Sequence, residues 1–583
     1  MTFAQAAVSP TVSDPFADKT GWGRDLLLLT LALAVWFGAF LGVRPLNNPD
    51  EGRYTEIPRE MAESGDYVTP RLNGVKYFEK PPLMYWLSAL TFEVAGVSEF
   101  TARFWNAAFA LMGVLLAYAS GRVLYGRTAG WWSAAVLATS LLYYALGQIV
   151  LLDMAVAVTI SAALFAFLFA MRQPPGALRR WLFIAFYASM AFATLTKGLI
   201  GFLLPCAVAF VWVLLFNKWR ALWPFYPVIG VLVLLGIAAP WHVLAEQANH
   251  SAVKEHDFAW FYFVHEHYLR FTTTVHGRYQ PVWFFGPILL AGLFPWVAFG
   301  GQAVRSALAG GWRARHQHAE AWFLVIWIAF ITLFFSKSDS KLIPYILPVF
   351  PAAAVLIGGY LAGAWRDGKT NARGLRAGLW VFVGLAAVFA AAAAVAPVPA
   401  KTPELSAVLL PWRFVLGVVL VGGAVAVAVC LRRDRLRGAL VAMLATCAAF
   451  YLPTNFIGKA FDTRSAKSLA LTLKPMLKAG DAVYCVGTYA QDIPPYLGRL
   501  ISVVNYKNEM TFGIEAEPEM AAKRFLSKEA FAVQWKEPAT AYAFVPKAGL
   551  SRWQAAGMPY TVLAEGVRFV LVVNRPSSPS SSP

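Results

Sequence analysis

Charge is scarce in this chain, and cysteine scarcer still. Only 14% of the 583 residues are Asp, Glu, Lys or Arg, while 58% are hydrophobic. That balance excludes an ordinary soluble domain and points to a polytopic membrane protein. The cysteines are Cys206, Cys430, Cys447 and Cys485. No pair has metal-ligand or disulfide-like spacing, so neither feature is expected of them. There is no Walker loop, nucleophile elbow, HExxH or Rossmann glycine run, which sets aside the common nucleotide-binding and hydrolase classes. No internal repeat is evident. The balance of 50 basic against 32 acidic residues does not indicate nucleic-acid binding. Lys and Arg sit mainly in short loops between apolar runs, as membrane topology requires.

Apolar runs of about 20 residues, each enough to cross a hydrocarbon core of about 30 Å, recur along the chain. Thirteen spans are expected, near 24–43, 100–121, 129–148, 153–171, 181–196, 198–216, 222–241, 281–302, 321–335, 342–364, 375–396, 411–430 and 437–455. No small-residue cleavage site follows the first, so it reads as a span rather than a cleaved signal. Residues 1–23 read as a disordered tail. The run 83–97 is short and interrupted by Glu93, and is expected to lie in the membrane interface. Basic clusters occupy every second loop: Arg122 and Arg127; Arg172, Arg179 and Arg180; Lys218 and Arg220; Arg305, Arg313 and Arg315; Arg366, Lys369 and Arg373; Arg432, Arg433, Arg435 and Arg437. This pattern implies a cytoplasmic N-terminus and an outer C-terminus.

The expected fold is therefore mostly α: a bundle of about 13 transmembrane helices with a small outer α/β domain. Residues 1–455 form the membrane domain, with long outer loops at 44–99 and 242–280. An amphipathic helix at 51–64, capped by Asp50, is expected on the outer face. From about Thr454 the composition turns soluble. DAVYCVG, LISVVN, AYAFVP and FVLVVN read as strands of a domain at 456–575. The tail 576–583, PSSPSSSP, reads as disordered.

Chemistry concentrates in the outer loops. The first contains Asp50, Glu51, Arg53, Tyr54, Tyr77, Glu79 and Lys80 within a few tens of residues. Asp153 and Lys197 are lone charges at outer ends of apolar spans, where a charge is costly without water or a partner. The second long loop reads EHDFAWFYFVHEHYLRF, with His265, His267 and Arg270. His-x-His can ligate a metal, with Glu79 as an oxygen ligand, but on a helix only one of the two histidines faces the site. Lys337, Lys341 and Tyr345 lie on an outer turn; cations there run against the positive-inside trend and suit an anion such as phosphate. Carboxylates, cations and tyrosines on one outer face, far from cytoplasmic nucleotides, fit a lipid-phosphate-linked sugar as substrate.

The loop NPDEGRYTEIPREMAESGDYVTPRLNGVKYFEKPPLMYW, the HEHYLRF segment and the SKLIPYILP turn resemble the bacterial 4-amino-4-deoxy-L-arabinose lipid A transferases. These are polytopic GT-C glycosyltransferases related to the protein O-mannosyltransferases, and the resemblance covers essentially the whole chain. It implies transfer of aminoarabinose, a pentosyl group, from undecaprenyl phosphate to lipid A phosphates at the periplasmic face of the bacterial inner membrane, giving polymyxin resistance. The implied partners are donor, acceptor and membrane lipids, with no nucleotide or nucleic acid. By role, Asp50 positions the attack or the sugar amine; Lys80, Arg270 and Tyr345 hold the donor phosphate, and Lys337 and Lys341 assist. Glu79 with His265 or His267 binds a divalent metal, with zinc suspected. Arg53, Tyr54, Tyr77, Asp153 and Lys197 complete the cavity, Arg53 and Asp153 beside the reacting centre. A single displacement inverts the sugar. The alternatives are a hexose or mannose transferase acting on protein or another glycan, a lipid-linked sugar transporter, and a membrane scaffold.

Overall fold

A computed structural model describes residues 21–273, 279–366, 372–395, 404–460 and 464–575. Of the expected tails 1–23 and 576–583, residues 1–20 and 576–583 lie outside the described residues, as does Lys369, while Trp22 and Gly23 are already helical. Each of the thirteen apolar stretches falls on helix. Among the described residues, eight helices are long and apolar enough to cross a membrane, or nine if one bent pair counts as a span. The count of thirteen is therefore not confirmed by length and composition. Helices α1 (Trp22–Gly38) and α9 (Ile200–Leu215) are short. Between them lie α2 (Asp50–Ser64), α3 (Leu83–Ala95), α4 (Glu99–Tyr125), α5 (Arg127–Ala138), α6 (Leu141–Gly147), α7 (Leu152–Arg172) and α8 (Ala177–Lys197).

Two expected spans are broken, and the breaks meet. The 129–148 stretch divides into α5 and α6 where Thr139 and Ser140 turn their hydroxyls back to the carbonyls of Ala135 and Val136, which competes with the backbone ladder. The 281–302 stretch divides into Val282–Gly292 and Val297–Ala307, bent by 104°, with Pro295 in the break. Leu141 N donates to Phe294 O at 3.2 Å, and Trp296 Nε1 to Thr139 Oγ1 at 2.9 Å. Backbone freed by one break is thus satisfied by the other.

The first loop is where the fold departs most from expectation. Helix α2 is not an exposed amphipathic helix: ten of its fifteen residues are buried. Asp50 is not its cap. The N-cap is Pro49, without a side-chain bond, because Asp50 lies inside the first turn and pairs with Arg53 at 3.0 Å. Glu51, 3% exposed, accepts from Arg103 Nε at 2.7 Å and Nη2 at 2.8 Å, from Asn47 N and from Val150 N. Burial pushes its carboxyl up, but Arg103 outweighs that and holds it below the usual range. One carboxylate therefore ties α2 to α4 and to the segment leading into α7.

Strands β1 (Arg71–Leu72) and β2 (Val75–Lys76) form a hairpin after α2. Glu60 accepts from Gly74 N at 2.8 Å at its turn, and Asn73 exchanges bonds with the backbone of Ile501. The C-terminal unit is a six-stranded sheet of β3 (Ala482–Val486), β4 (Ser502–Val504), β5 (Phe525–Leu526), β6 (Ala541–Pro546), β7 (Thr561–Glu565) and β8 (Phe569–Val573), in the order β5-β4-β3-β6-β8-β7. The four strands read from sequence are there, with β5 and β7 added. One face, including Cys485, Val503 and Phe544, packs on Ile57 and Met61 of α2 and on Tyr77. The other packs on Phe531, Trp535 and Trp553. Helix α2 is thus held between the membrane bundle and the C-terminal sheet.

Candidate active site

Lys80 is the centre of the polar cluster. It follows the hairpin, is 8% exposed, and donates to the Glu79 carbonyl at 2.5 Å and to Glu266 Oε2 at 3.3 Å. Burial, reinforced by the nearby Arg270, lowers its ammonium to about 8. Arg270 reaches the same Glu266 oxygen at 2.6 Å and stands 3.9 Å from Glu79. Lys197, at the end of α8, pairs with Asp153 in the first turn of α7 and lies 4.6 Å above the Tyr345 ring. The structure thus brings together Glu79, Lys80, Asp153, Lys197, Arg270 and Tyr345 from five separate stretches of chain.

Trp260–Leu269 is π-helical, a form that re-aims side chains and recurs at functional sites. Glu266 points inward and is 5% exposed. His265 Nδ1 lies 3.2 Å from its other oxygen. His267 turns the opposite way: Nδ1 donates to Tyr262 O at 2.6 Å, and Nε2 accepts from Leu199 N at 3.2 Å. Burial holds this imidazole below its ordinary range. Gly198 permits the arrangement. Its φ is +82°, and a Cβ there would stand 1.8 Å from His267 Nε2.

Two cavities share this wall. The first, of about 620 Å³, is lined by Glu79, Lys80, Lys197, Glu266, His267, Arg270, Ser340 and Tyr345 among others. The second, of about 1490 Å³, takes in Arg53, Glu79, His265, Glu266 and Arg270, with Asn508, Glu509, Phe512 and Glu515 of the C-terminal unit. Glu79, Glu266 and Arg270 face both. Arg53 completes the second cavity: it donates to Tyr77 at 2.8 Å and to Gln491 Oε1 at 3.3 Å, and pairs with Asp50. Its guanidinium lies 5.4 Å from the Tyr54 ring. Gln491 in turn donates to Glu509.

Other expected residues stand apart. Lys337 is exposed, and Lys341 is buried with its ammonium on the Gln280 carbonyl at 2.6 Å. Neither lines a cavity described above. The three expected metal ligands divide between the cavities, His267 with both ring nitrogens on backbone. Among the described residues, the group of three side chains close enough to share an ion is Glu246, His250 and Asp257. Three residues of the site carried too little sequence signal to be singled out. Glu266 was visible only as the residue between two histidines. Gln491 and Glu509 lie more than 400 residues from Arg53, in a domain whose docking no local pattern reveals.

Comparison with known proteins gives the same picture. Residues 26–262 match the family described as dolichyl-phosphate-mannose-protein mannosyltransferase, and residues 469–574 match the aminoarabinose transferase C-terminal domain. The undecaprenyl phosphate-alpha-4-amino-4-deoxy-L-arabinose arabinosyl transferase 2 of Sodalis glossinidius (strain morsitans) is 31% identical, over 86% of this chain and 89% of its own. The corresponding transferase of Pectobacterium carotovorum subsp. carotovorum is also 31% identical, over 87% and 90%. The crystal structure of ArnT from Cupriavidus metallidurans bound to undecaprenyl phosphate superposes with a TM-score of 0.82 at 29% identity, over 96% of this chain and 99% of that one.

Proposed function

The chain belongs to the undecaprenyl phosphate-aminoarabinose arabinosyl transferases, and on that premise we propose that it moves 4-amino-4-deoxy-L-arabinose from undecaprenyl phosphate to a lipid A phosphate. The observation that carries the reading is the shared wall: a chamber with three cations, Lys80, Lys197 and Arg270, has Glu79, Glu266 and Arg270 in common with a larger one. The first suits a polyprenyl phosphate, and the second leaves room for sugar and acceptor. The division into a membrane body at 1–455 and a C-terminal unit at 456–575, periplasmic and above the inner membrane, belongs to this proposal.

The acceptor phosphate oxygen is already ionised, so no strong base is needed. It attacks the anomeric carbon as the bond to the donor phosphate oxygen breaks, and the electron pair leaves with undecaprenyl phosphate. Lys80 and Arg270, with the Tyr345 hydroxyl, stabilise that growing charge, so no general acid is needed either. Asp50 orients the acceptor or the sugar amine, and Arg53 sets its position. Asp153 fixes Lys197, while Tyr54 and Tyr77 frame Arg53. Carboxylates near the sugar favour its oxocarbenium-like character. One displacement inverts the centre. Glu79 and His265, which share the larger cavity, are the pair that would hold a divalent cation such as zinc, whose chemistry would be to add positive charge beside the leaving phosphate.

Mass spectrometry of lipid A, with and without the protein in a strain that makes the donor, tests this directly. An aminoarabinose mass increment is expected, and Asp50→Ala or Lys80→Ala should reduce it by about 100-fold with folding intact. Unmodified lipid A alongside glycosylated protein would favour the mannosyltransferase reading that the match over residues 26–262 keeps in view.

A further inference from the structure

The C-terminal sheet reverses direction beside its first strand. From β3 the chain steps outward through β4 to β5, all parallel, then crosses back to β6 on the other side of β3. In open α/β sheets such a switch point opens a crevice beyond the carboxyl ends of the strands, and ligands bind there. The crevice is present. A cavity of about 1300 Å³ is lined at the end of β3 by Gly487, of β4 by Asn505 and of β6 by Pro546. Its sides are the helices Lys528–Trp535 and Leu550–Ala555.

This cavity shares no lining residue with the two catalytic ones. It borders the sheet face that packs on Phe531 and Trp553, opposite the face that meets α2. Its charged lining residues are Lys528 and Arg552, one from each flanking helix, with no carboxylate among the described lining residues. Ala532, Ala548, Ala556 and Met558 give an apolar lining, and a Cβ on Gly487 would meet nothing within 4 Å. Two cations, one from each flanking helix, suit a phosphate, and the apolar lining suits the C–H face of a sugar ring.

We propose that this switch-point crevice is a second binding site, for a phosphorylated saccharide, formed by Lys528, Arg552 and the carboxyl ends of β3, β4 and β6. The saccharide class rests on the function proposed above, in which the acceptor carries sugar phosphates; the site itself rests on topology and charge.

The test is equilibrium dialysis of the purified full chain against radiolabelled glucosamine 1-phosphate, with glucosamine as the uncharged control. Lys80→Ala/Arg270→Ala removes phosphate-holding cations from the catalytic cavity, and this variant should retain one site for the probe. Adding Lys528→Glu/Arg552→Glu should weaken that site by at least about tenfold, since each charge-assisted contact to phosphate is among the stronger hydrogen bonds. Displacement of the probe by lipid A micelles assigns the ligand to the acceptor headgroup. Retention of the probe against micelles assigns it to a soluble sugar phosphate, and both outcomes support the site. The proposal falls if binding vanishes in Lys80→Ala/Arg270→Ala, if it survives the charge reversals, or if glucosamine binds equally well. Lipid A modification by the unsubstituted chain separates the two claims. Normal aminoarabinose transfer by that chain, with no probe held once Lys80 and Arg270 are replaced, overturns this inference and leaves the catalytic reading standing.

Discussion

Lys80 should make the proposed catalytic cavity sensitive to pH in a range where ordinary lysines are not. Its ammonium titrates at about 8, pulled down first by burial and then by Arg270, against the opposing pull of Glu266 and Glu79. In the proposed reaction the charged form is the one that holds the donor phosphate. Raising the pH through this value removes the charge, so donor capture weakens on the alkaline side. Because kcat/KM reports the free enzyme, it should fall about tenfold per pH unit above about pH 8. Lys80→Arg keeps its charge throughout this range and should flatten the profile, even if its absolute rate is lower. An unchanged alkaline fall in Lys80→Arg would assign the titration to another group. Lys80 stood out in the sequence because it belongs to the basic-acidic cluster that closes the charged first loop, within the stretch that carries the family resemblance. Glu266, which both Lys80 and Arg270 contact, was not. Its inward aim depends on the π-helical turn, and a 3.6-residue periodicity does not anticipate that.

At the scale of elements, α2 is fixed by a buried pair that the sequence offers only as two ordinary charges. Glu51 and Arg103 are 3% and 0% exposed and lie 52 residues apart. Removing one partner leaves the other charged and buried, which typically costs about 3–5 kcal/mol. Glu51→Ala should therefore lower the thermal midpoint sharply. Arg103 also donates to the carbonyls of Leu41, Arg44 and Pro45, so Arg103→Met alone should be at least as damaging. Replacing both, as Glu51→Ala/Arg103→Met, should cost less than the sum of the two single losses, since no lone charge remains. Additive losses in that double-mutant cycle would mean that the two side chains do not act as a pair. The broken spans teach a similar lesson. Apolar length alone predicted continuous helices at 129–148 and 281–302, because hydropathy does not register hydroxyls that back-bond or a second break positioned to receive the freed groups.

For the whole molecule, the membrane bundle and the C-terminal sheet were legible as separate classes of composition, but their junction was not. That junction converges on Gly52. Inside a helix, Gly is about 1 kcal/mol worse than Ala, so its place in α2 calls for a reason other than propensity. The reason is close approach: a Cβ at Gly52 would lie 2.5 Å from Asp492 N and 2.6 Å from Gln491 C, and backbone atoms cannot step aside cheaply. The same two residues clasp the start of α2. Gln491 accepts from Arg53 Nε, and Asp492 accepts from Asn48, Ser465 and Ala466 N. Gly52→Ala should push the C-terminal unit away from α2, by an overpacking cost of about 1–3 kcal/mol. Arg53 would then lose its Gln491 contact and its fixed hold on Asp50. The expected result is at least a tenfold loss of turnover together with faster proteolysis between Ala460 and Lys467, where the two parts join. Gln491→Leu removes the Arg53 contact without the steric push. It should therefore lower turnover without faster proteolysis. If both variants turn over donor like the parent, the C-terminal unit only rests on α2 and does not set the geometry of Asp50. If Gly52→Ala loosens the junction but spares turnover, Arg53 is held well enough by Tyr77 and Asp50 alone.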